Sequence, residues 1–214
     1  MGHLLGAIRT AAINAVALRH MARPDATSLG ILGSGFQARV HLQAAMAVKA
    51  FERVIAYSPT PAHLKAFAEA MQRAIDLPLH VASSSEEVVR RADVLICATT
   101  SRTPVFDAAW LRPGTHVNTI GPKFAQGHEV PLEAARRAEV IVTDSLAQVD
   151  AYAETFFLKS TPERERMMEL SEVVVGRQAG RLSQDGLTLF CSVGLAGTEV
   201  VVADALLSMK AEGA

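Results

Sequence analysis

A glycine-rich turn, Gly33-Ser34-Gly35-Phe36-Gln37-Ala38, has the residue types and spacing that point most directly to chemistry. It follows the apolar run Leu29-Gly30-Ile31-Leu32 and opens a helical pattern, which gives the G-x-G-x-x-A spacing a strand–turn–helix context. Here Gly33 permits the tight turn, Gly35 lets a diphosphate approach the backbone, and Ala38 lets the helix pack closely on the strand. Free N–H groups at the start of a helix attract such an anion. The turn therefore predicts dinucleotide binding, with a purely structural Gly-x-Gly turn as the alternative.

The second strand-like run ends at Tyr57-Ser58-Pro59-Thr60, about 20 residues after the turn. An NAD-selective site is expected to have Asp or Glu here to bind the ribose hydroxyls, and neither is present. Ser58 and Thr60 can donate hydrogen bonds to a 2′-phosphate, and no carboxylate repels it. The segment favours NADP over NAD, although it offers no arginine. The absence of a G-K-[ST] sequence excludes a P-loop nucleotide hydrolase.

The elements that must position these residues alternate along the chain. Apolar runs of strand length lie at 29–32, 53–57, 79–82, 94–98, 116–120 and 140–143, and helical patterns lie at 37–49, 61–74, 84–91 and 131–137. This alternation predicts an α/β fold, a doubly wound parallel sheet of the Rossmann dinucleotide-binding type. Before it, residues 3–21 have helical spacing; after it, the pattern predicts a polar helix at 146–172, a strand at 187–191 and an apolar helix at 195–209.

Composition limits the classes of partner. The formal net charge is -1 and aromatic residues make up 5%, so neither nucleic acid nor an acidic membrane surface is an expected partner. Cys97 and Cys191 lie in apolar runs without metal-ligand spacing, which predicts two small buried side chains and no metal site. No apolar run has the roughly 18 residues of a membrane span. We expect a cytoplasmic protein with a small-molecule partner.

Several segments together resemble the ornithine cyclodeaminase/mu-crystallin family of NAD(P)-dependent proteins. They are Arg9-Thr10-Ala11-Ala12, the turn at 33–38, Ala98-Thr99-Thr100-Ser101, Val117-Asn118-Thr119-Ile120-Gly121 and Ser192-Val193-Gly194-Leu195-Ala196, in family order along nearly the whole chain. The Arg-Thr-Ala-Ala and Ser-Val-Gly-Leu-Ala segments are the specific ones, because many families share the glycine turn.

The resemblance implies roles for individual residues. Arg9 is similar to the arginine that binds the substrate carboxylate, a role suited to a guanidinium because it bonds in bidentate fashion and keeps its charge. The residues implied in cofactor binding are Thr10, Gly33, Gly35, Phe36, Gln37, Ala38, Ser58, Thr60, Thr99, Thr100, Ser101, Val117, Asn118, Thr119, Ile120 and Ser192. Thr99, Thr100 and Ser101 have an alternative reading as turn residues at a strand end.

The resemblance also implies a reaction and a domain plan. The family transfers hydride between a nicotinamide and an amino or imino carbon, in imine reduction, in alanine oxidation or in cyclodeamination. It implies an amino or imino acid substrate and a homodimer. We expect residues 1–25 to form a helix of a substrate and dimerisation domain, residues 26–185 the NAD(P)-binding domain, and residues 186–214 a strand and helix that return to the first domain.

Two departures from the family pattern bear on activity. The family has a domain before the Arg-Thr-Ala-Ala segment, and a lysine of that domain serves the proton transfers. No residue of this sequence matches that lysine. We therefore interpret the sequence as a truncated or degenerate copy. The position of the cyclodeaminase aspartate is occupied by Lys123. A desolvated lysine can shuttle a proton, so Lys123 is a catalytic candidate, with an exposed loop lysine as the alternative.

Three hypotheses therefore remain. The favoured one is an NAD(P)-dependent oxidoreductase acting on an amino or imino acid, with imine reduction preferred to ornithine cyclisation. The second is an NAD(P)H-binding module without turnover. The third is an interaction protein that self-associates through the apolar helices at 3–21 and 195–209, since an exposed apolar stripe tends to bind a partner.

Overall fold

The computed structural model describes residues 2–195 and 197–212. Its helices are α1 (Gly2–Met21), α2 (Phe36–Val48), α3 (Pro61–Gln72), α4 (Ser85–Arg91), α5 (Leu132–Arg137), α6 (Leu146–Asp150), α7 (Pro162–Glu165), α8 (Leu170–Val174) and α9 (Thr198–Glu212). Its strands are β1 (Ser28–Leu32), β2 (Arg53–Tyr57), β3 (Leu79–Val81), β4 (Val94–Cys97), β5 (His116–Thr119), β6 (Lys123–Phe124), β7 (Gly127–His128), β8 (Ala138–Thr143), β9 (Met167–Glu169) and β10 (Leu187–Cys191).

Eight strands form one parallel sheet in the order β3-β2-β1-β4-β5-β10-β8-β9. All residues of β1, β4, β5 and β10 are buried, as expected of central strands covered by helices on both faces. The chain leaves β1 for β2 on one side and reaches β4 on the other side. The predicted α/β fold with a doubly wound parallel sheet is therefore confirmed, and its switch point lies between β1 and β4.

Strand β10 has a position that the sequence did not predict. It lies between β5 and β8, with Leu189 paired to Val117 on one side and to Ile141 on the other. The sequence predicts that this strand, as part of residues 186–214, returns to the first domain. Instead it completes the centre of the sheet, because its five buried residues need neighbours on both edges and both faces.

Helices cover both faces of the sheet and enclose the core. Buried residues of α4 and α5 pack on one face, and those of α2 and α3 pack on the other. Helix α1 contacts α2, and its Ala17 and Met21 pack with Phe190 of β10 in a third cluster. The first helix thus lies against the sheet, where it can present Arg9 and Thr10 near the strand ends.

The predicted single helix over 146–172 is wrong. The structure has α6, a segment without helix from 151 to 161, α7, and the edge strand β9. Phe156, Phe157 and Leu158 are all buried, and three consecutive buried residues do not fit a helix with one apolar face. This segment instead lies against the β6–β7 hairpin: Phe157 N donates to Lys123 O at 2.9 Å, and Ala125 N donates to Thr155 O at 2.7 Å.

Two further expectations concern cysteines and membranes. Cys97 and Cys191 are free and fully buried, as predicted. In the described part of the chain, no helix combines the length and apolar character needed to cross a bilayer.

Candidate functional site

Two neighbouring cavities open at the carboxyl ends of the central strands. The first, here the Arg9 cavity, has a volume of about 370 Å³ and is lined by residues of α1, of the glycine turn and of the segments after β4, β5 and β10. The second, here the Ser58 cavity, has a volume of about 400 Å³ and lies between the segments after β1, β2 and β4. Gly35, Thr99 and Thr100 line both, so the two cavities meet at the switch point of the sheet.

The glycine turn has the geometry that a diphosphate requires. Gly33 has φ of 111°, and a Cβ there would lie 2.4 Å from the carbonyl oxygen of Ala98, so only glycine fits. Gly35 has an ordinary extended backbone, and a Cβ there would meet nothing within 4 Å. It would instead occupy the open space in front of α2, whose first turn has no side-chain cap. The turn thus leaves room for an anion in front of the helix N-terminus.

A second observation at the turn supports a polar ligand. The Gln37 side chain lines the Arg9 cavity, and its Oε1 is buried without a hydrogen-bond partner among the described residues. A buried amide oxygen without a partner is costly, and a ligand N–H or hydroxyl would satisfy it. The residues of the turn therefore fit a dinucleotide.

Arg9 lines the Arg9 cavity together with residues of the glycine turn. Its Nε is 2.7 Å from Glu199 Oε1 of α9, which forms an ion pair on one edge of the guanidinium. The other edge faces the segment after β10: a Cβ on Gly194 would lie 3.2 Å from Arg9 Nη1. Gly194 has φ of 94°, a backbone conformation that favours glycine, and a Cβ there would lie tightly against the guanidinium. The two Nη atoms are the part of Arg9 suited to a bidentate anion.

Asp144, which sequence reasoning missed, holds the segment that carries Ser192. Its buried carboxylate accepts hydrogen bonds from Val193 N at 2.8 Å, from Gly194 N at 2.9 Å and from Ser192 Oγ at 3.3 Å. These bonds fix three residues that line the Arg9 cavity. The signal in the sequence was an acidic residue at the end of an apolar strand, in Val142-Thr143-Asp144.

Glu129 is a second buried carboxylate that sequence reasoning did not assign to the site. Its Oε2 accepts from Thr99 N and Thr99 Oγ1, at 2.9 and 2.7 Å. Its Oε1 accepts from Thr119 Oγ1, Ile120 N and Gly121 N, at 2.8, 3.1 and 2.6 Å. One carboxylate thus ties the end of β4 to the end of β5, and both ends line the Arg9 cavity.

Lys123 is buried beneath this cavity, with 1% of its surface exposed, so the alternative of an exposed loop lysine is wrong. Its Nζ donates to Gly121 O at 2.6 Å and to Thr119 O at 3.4 Å, and Lys123 is not among the residues that line the cavity. Burial lowers the pKa of Lys123 and raises the pKa of Glu129, while the attraction between the two charges opposes both shifts. The ammonium supports the cavity floor from behind.

Ser58, Thr60 and Ser101 all line the Ser58 cavity. The Thr60 hydroxyl makes no capping bond to α3, so it remains available to a ligand. His63, from the first turn of α3, lines the same cavity and was not predicted. Among the described residues that line this cavity there is no carboxylate.

Five of the predicted residues lie outside both cavities. Ala38 is buried in the core between α2 and the sheet, as its packing role required. Lys123 lies beneath the floor. Val117, Asn118 and Thr119 are interior residues of β5: Val117 is in the core, Asn118 Nδ2 donates to Asn14 O, and the Thr119 hydroxyl bonds Glu129. The cavity wall begins only at Ile120, because β5 ends at Thr119.

The remaining predicted residues lie in the two cavities. The Arg9 cavity is lined by Arg9, Thr10, Gly35, Phe36, Gln37, Thr99, Thr100, Ile120 and Ser192, and the Ser58 cavity by Gly33, Gly35, Ser58, Thr60, Thr99, Thr100 and Ser101. Tyr152, which follows α6, also lines the Arg9 cavity and was not predicted. Within residues 2–195 and 197–212, no three His, Cys, Asp or Glu side chains are grouped as a metal site would need.

Comparisons with known proteins agree with this geometry. The model of the ornithine cyclodeaminase/mu-crystallin family matches residues 1–212. A Delta(1)-pyrroline-2-carboxylate reductase of Bacillus cereus is 34% identical over 218 residues, which cover 99% of this chain and 66% of that protein.

Solved structures give the same result. The chain superposes on the Thermococcus litoralis Delta(1)-pyrroline-2-carboxylate reductase in complex with NADH and L-proline with a TM-score of 0.87 and 34% identity, over 95% of this chain and 64% of that one. For an archaeal alanine dehydrogenase dimer with bound NAD the TM-score is 0.83 and the identity 31%, over 93% and 62% of the two chains. The chain therefore spans slightly less than two thirds of the length of these relatives.

Proposed function

The chain belongs to the ornithine cyclodeaminase/mu-crystallin family, and from this we propose that it is the dinucleotide-binding part of an NAD(P)-dependent reductase of imino acids. The favoured substrate is a cyclic imine that carries a carboxylate on the carbon of the C=N bond. The pyrroline carboxylate named for the Bacillus and Thermococcus relatives is the simplest example.

One observation carries the proposal: Arg9 and the glycine turn line the same cavity. A guanidinium binds a carboxylate in bidentate fashion through two of its N–H groups. The turn and the start of α2 bind a diphosphate. A nicotinamide dinucleotide supplies two electrons and a proton as hydride when bound there. Arg9 then fixes the carboxylate end of the substrate, which sets the position of the neighbouring imine carbon.

The segment after β10 orients the substrate and the cofactor relative to each other. Asp144 fixes the backbone N–H groups of Val193 and Gly194, so Ser192 and Gly194 keep a constant distance from Arg9. Glu129 and Lys123 in turn fix the peptide units of Ile120 and Gly121 at the cavity floor. We propose that Lys123 acts by positioning Gly121, since its ammonium is bonded to backbone and lies outside the cavity.

The cavity favours imine reduction over cyclodeamination. A cyclodeaminase must stabilise an iminium cation, which a carboxylate does well. No carboxylate is among the described residues that line the Arg9 cavity, and the position of the family aspartate is Lys123. Reduction of a neutral imine, which gains its proton as the hydride is transferred, places no such demand on the wall.

We further propose NADP as the preferred cofactor. Ser58 and Thr60 supply hydroxyl donors in the Ser58 cavity, and the His63 imidazole lines the same cavity. A 2′-phosphate would meet these three groups and no lining carboxylate. Relatives of this chain bind NADH and NAD, so the two cofactors must be compared directly.

The experiment is a steady-state assay of the chain with Δ1-pyrroline-2-carboxylate and either NADPH or NADH, followed by the loss of dinucleotide absorbance. Stoichiometric formation of L-proline supports the proposal. Saturable dinucleotide binding without turnover of cyclic or open imino acids would instead support the binding-module hypothesis. Turnover of ornithine to proline and ammonia would show that cyclodeamination, not reduction, is the reaction.

Self-association is a separate proposal that rests on α9. Val200, Val201 and Leu207 are between 68% and 72% exposed, and exposed apolar residues grouped on one helix tend to be covered by another surface. We propose a homodimer in which α9 is at least partly buried. Light scattering at increasing protein concentration tests it: a constant monomer mass would contradict the proposal, and Val201→Glu should lower the dimer fraction.

A further inference from the structure

The Arg9 side chain borders two open spaces. Besides the Arg9 cavity, it lines an apolar groove of about 510 Å³ between α1, α8 and α9. A long side chain that is free to move loses conformational freedom when it binds a ligand, and that loss weakens binding. A substrate site that depends on Arg9 is therefore stronger if another group holds the guanidinium in one place before the substrate binds.

Glu199, in the first turn of α9, is placed to hold this guanidinium. Its Oε1 lies 2.7 Å from Arg9 Nε, which is buried. The side chains of Arg9 and Glu199 are 21% and 38% exposed, so the pair is partly shielded from the water that weakens ion pairs on an open surface. Glu199 is not among the described residues that line the Arg9 cavity. It therefore contacts Arg9 from outside the space that a ligand would fill.

The other end of the guanidinium lies beside Gly194. A Cβ on Gly194 would be 3.2 Å from Arg9 Nη1 and 3.6 Å from Nη2. Gly194 lines the Arg9 cavity, and its N–H donates to the buried carboxylate of Asp144 at 2.9 Å. The ion pair with Glu199 is thus made at Nε, whereas both Nη atoms lie next to a fixed part of the cavity wall.

We propose that Glu199 is a positioning residue for substrate binding, whose carboxylate fixes the Arg9 guanidinium with its Nη atoms towards the substrate carboxylate. This inference rests on the proposed binding of an imino acid by Arg9. The negative charge of Glu199 also weakens the attraction between Arg9 and a second carboxylate. The gain from a fixed guanidinium has to exceed that loss, so the sign of the effect on substrate affinity is itself informative.

Glu199→Ala tests the proposal by steady-state kinetics. With the wild-type chain reducing a cyclic imino acid, KM for the imino acid should rise about 10-fold, because the substrate must then order the guanidinium itself. Since the complex at saturation is the same, kcat and KM for the dinucleotide should change little. Glu199→Gln should keep most of the wild-type affinity, because its amide oxygen can still accept from Nε. Asp204→Ala, which removes an exposed carboxylate from the same helix, is the matched control.

A double-mutant cycle separates positioning from an effect on the helix. An acidic residue in the first turn stabilises a helix by itself, and Glu199 is the acidic residue in the first turn of α9. In an Arg9→Met background, Glu199→Ala should leave KM for the imino acid unchanged, because no guanidinium remains to be held. An increase in KM of the same size with and without Arg9 would assign the effect to the helix and overturn the positioning role.

A measurement without turnover tests the contact between the two side chains. In ¹⁵N-labelled protein, Arg9→Lys assigns the Nε–H resonance of Arg9. A guanidinium N–H held against a carboxylate exchanges its proton with water more slowly than one that is exposed. Exchange of the Arg9 Nε–H should therefore be faster in Glu199→Ala than in wild type, and unchanged in Asp204→Ala.

The outcomes separate the two proposals. A wild-type chain that turns over, with KM of Glu199→Ala equal to or below that of wild type, overturns the role of Glu199 and leaves the proposed function intact. Equal Nε–H exchange in wild type and Glu199→Ala overturns it as well. A wild-type chain that binds dinucleotide but reduces no imino acid refutes the proposed function. The positioning role then falls with it, even where the exchange measurement detects the ion pair.

Discussion

Glu129 and Lys123 hold the two ends of one residue, Gly121, at the floor of the Arg9 cavity. Glu129 Oε1 accepts from Gly121 N at 2.6 Å, and Lys123 Nζ donates to Gly121 O at 2.6 Å. Both side chains are buried, and the attraction between their opposite charges offsets part of the cost of burying each one. Glu129 and Lys123 therefore support the cavity floor, although charged side chains are costly to bury.

Removal of either member of this pair should destabilise the chain, and removal of both should cost less stability than the sum of the two single losses. Glu129→Gln and Lys123→Met should each lower the free energy of unfolding by about 3 kcal/mol, because each leaves an uncompensated buried charge. The double variant should lose less than the sum of the two. Urea unfolding of all four proteins measures the coupling, with exposed Glu133→Gln as control. Additive losses would show that the two charges act independently.

Arg9→Met should raise KM for the imino acid by about 100-fold, the equivalent of about 3 kcal/mol, because a bidentate carboxylate contact is lost. KM for the dinucleotide should change little. Arg9→Lys should recover only part of the loss, since an ammonium is a point charge without the planar pair of donors. Arg19→Met, on the same helix but exposed, is the control. An unchanged KM for the substrate would remove Arg9 from the substrate site.

Ser58→Asp should reverse the cofactor preference. A carboxylate at this position can bind the ribose hydroxyls of NAD but repels a 2′-phosphate. We expect KM for NADPH to rise by about 10-fold or more, the effect of about 1.4 kcal/mol of repulsion, and KM for NADH to stay the same or fall. Ser160→Asp, at an exposed residue that lines neither cavity, serves as a charge control. If wild type already prefers NADH, the proposal of NADP is wrong.

His116 should make stability depend on pH. Burial lowers its pKa to about 3, so the folded chain keeps this histidine neutral while the unfolded chain takes up a proton below its ordinary pKa. Stability due to this residue is therefore complete above the unfolded pKa and is lost as the pH falls below it. Between about pH 7 and pH 5 the loss should be about 2 kcal/mol.

The variant His116→Gln isolates this contribution. The hydrogen bond between His116 Nδ1 and Thr188 Oγ1 is 2.8 Å long, so the variant will be less stable at neutral pH. Its stability should nevertheless fall less steeply between about pH 7 and pH 5 than that of wild type. Equal slopes, measured by urea unfolding at each pH, would show that His116 titrates normally in the folded chain.

The fold was largely predictable because its strands are short, continuous apolar runs and its helices have one apolar face. These are local patterns, and β1, β2 and β4 follow them closely. The place of β10 between β5 and β8 was not predictable, since strand order depends on contacts between residues far apart in the chain. The helix predicted over residues 151–161 was wrong for a related reason. Phe156 and Phe157 are buried against the β6–β7 hairpin, a contact that no periodicity in the sequence reveals.

Residues of the candidate site could be predicted where their type and spacing form a recognisable pattern. They could not be predicted where their role depends on burial. The glycine turn and Arg9 fall in the first class. Glu129 and Asp144 fall in the second, because a carboxylate that accepts several backbone N–H groups has no sequence signature of its own. The residue type at position 123 did not predict whether the lysine would line the cavity, lie in an exposed loop or be buried, as it is in the structure.

The most direct test of the account is dinucleotide binding by Gly35→Val. A Cβ at Gly35 meets no protein atom within 4 Å, and the backbone there is in an ordinary extended conformation, so the variant should fold. It fills the space in front of α2 where the diphosphate is proposed to bind. Gly6→Val, at another glycine whose Cβ would meet nothing, is the control. We predict that titration with NADPH, followed by its fluorescence, saturates for wild type and Gly6→Val and shows no binding for Gly35→Val. Equal affinity in a correctly folded Gly35→Val would contradict the account.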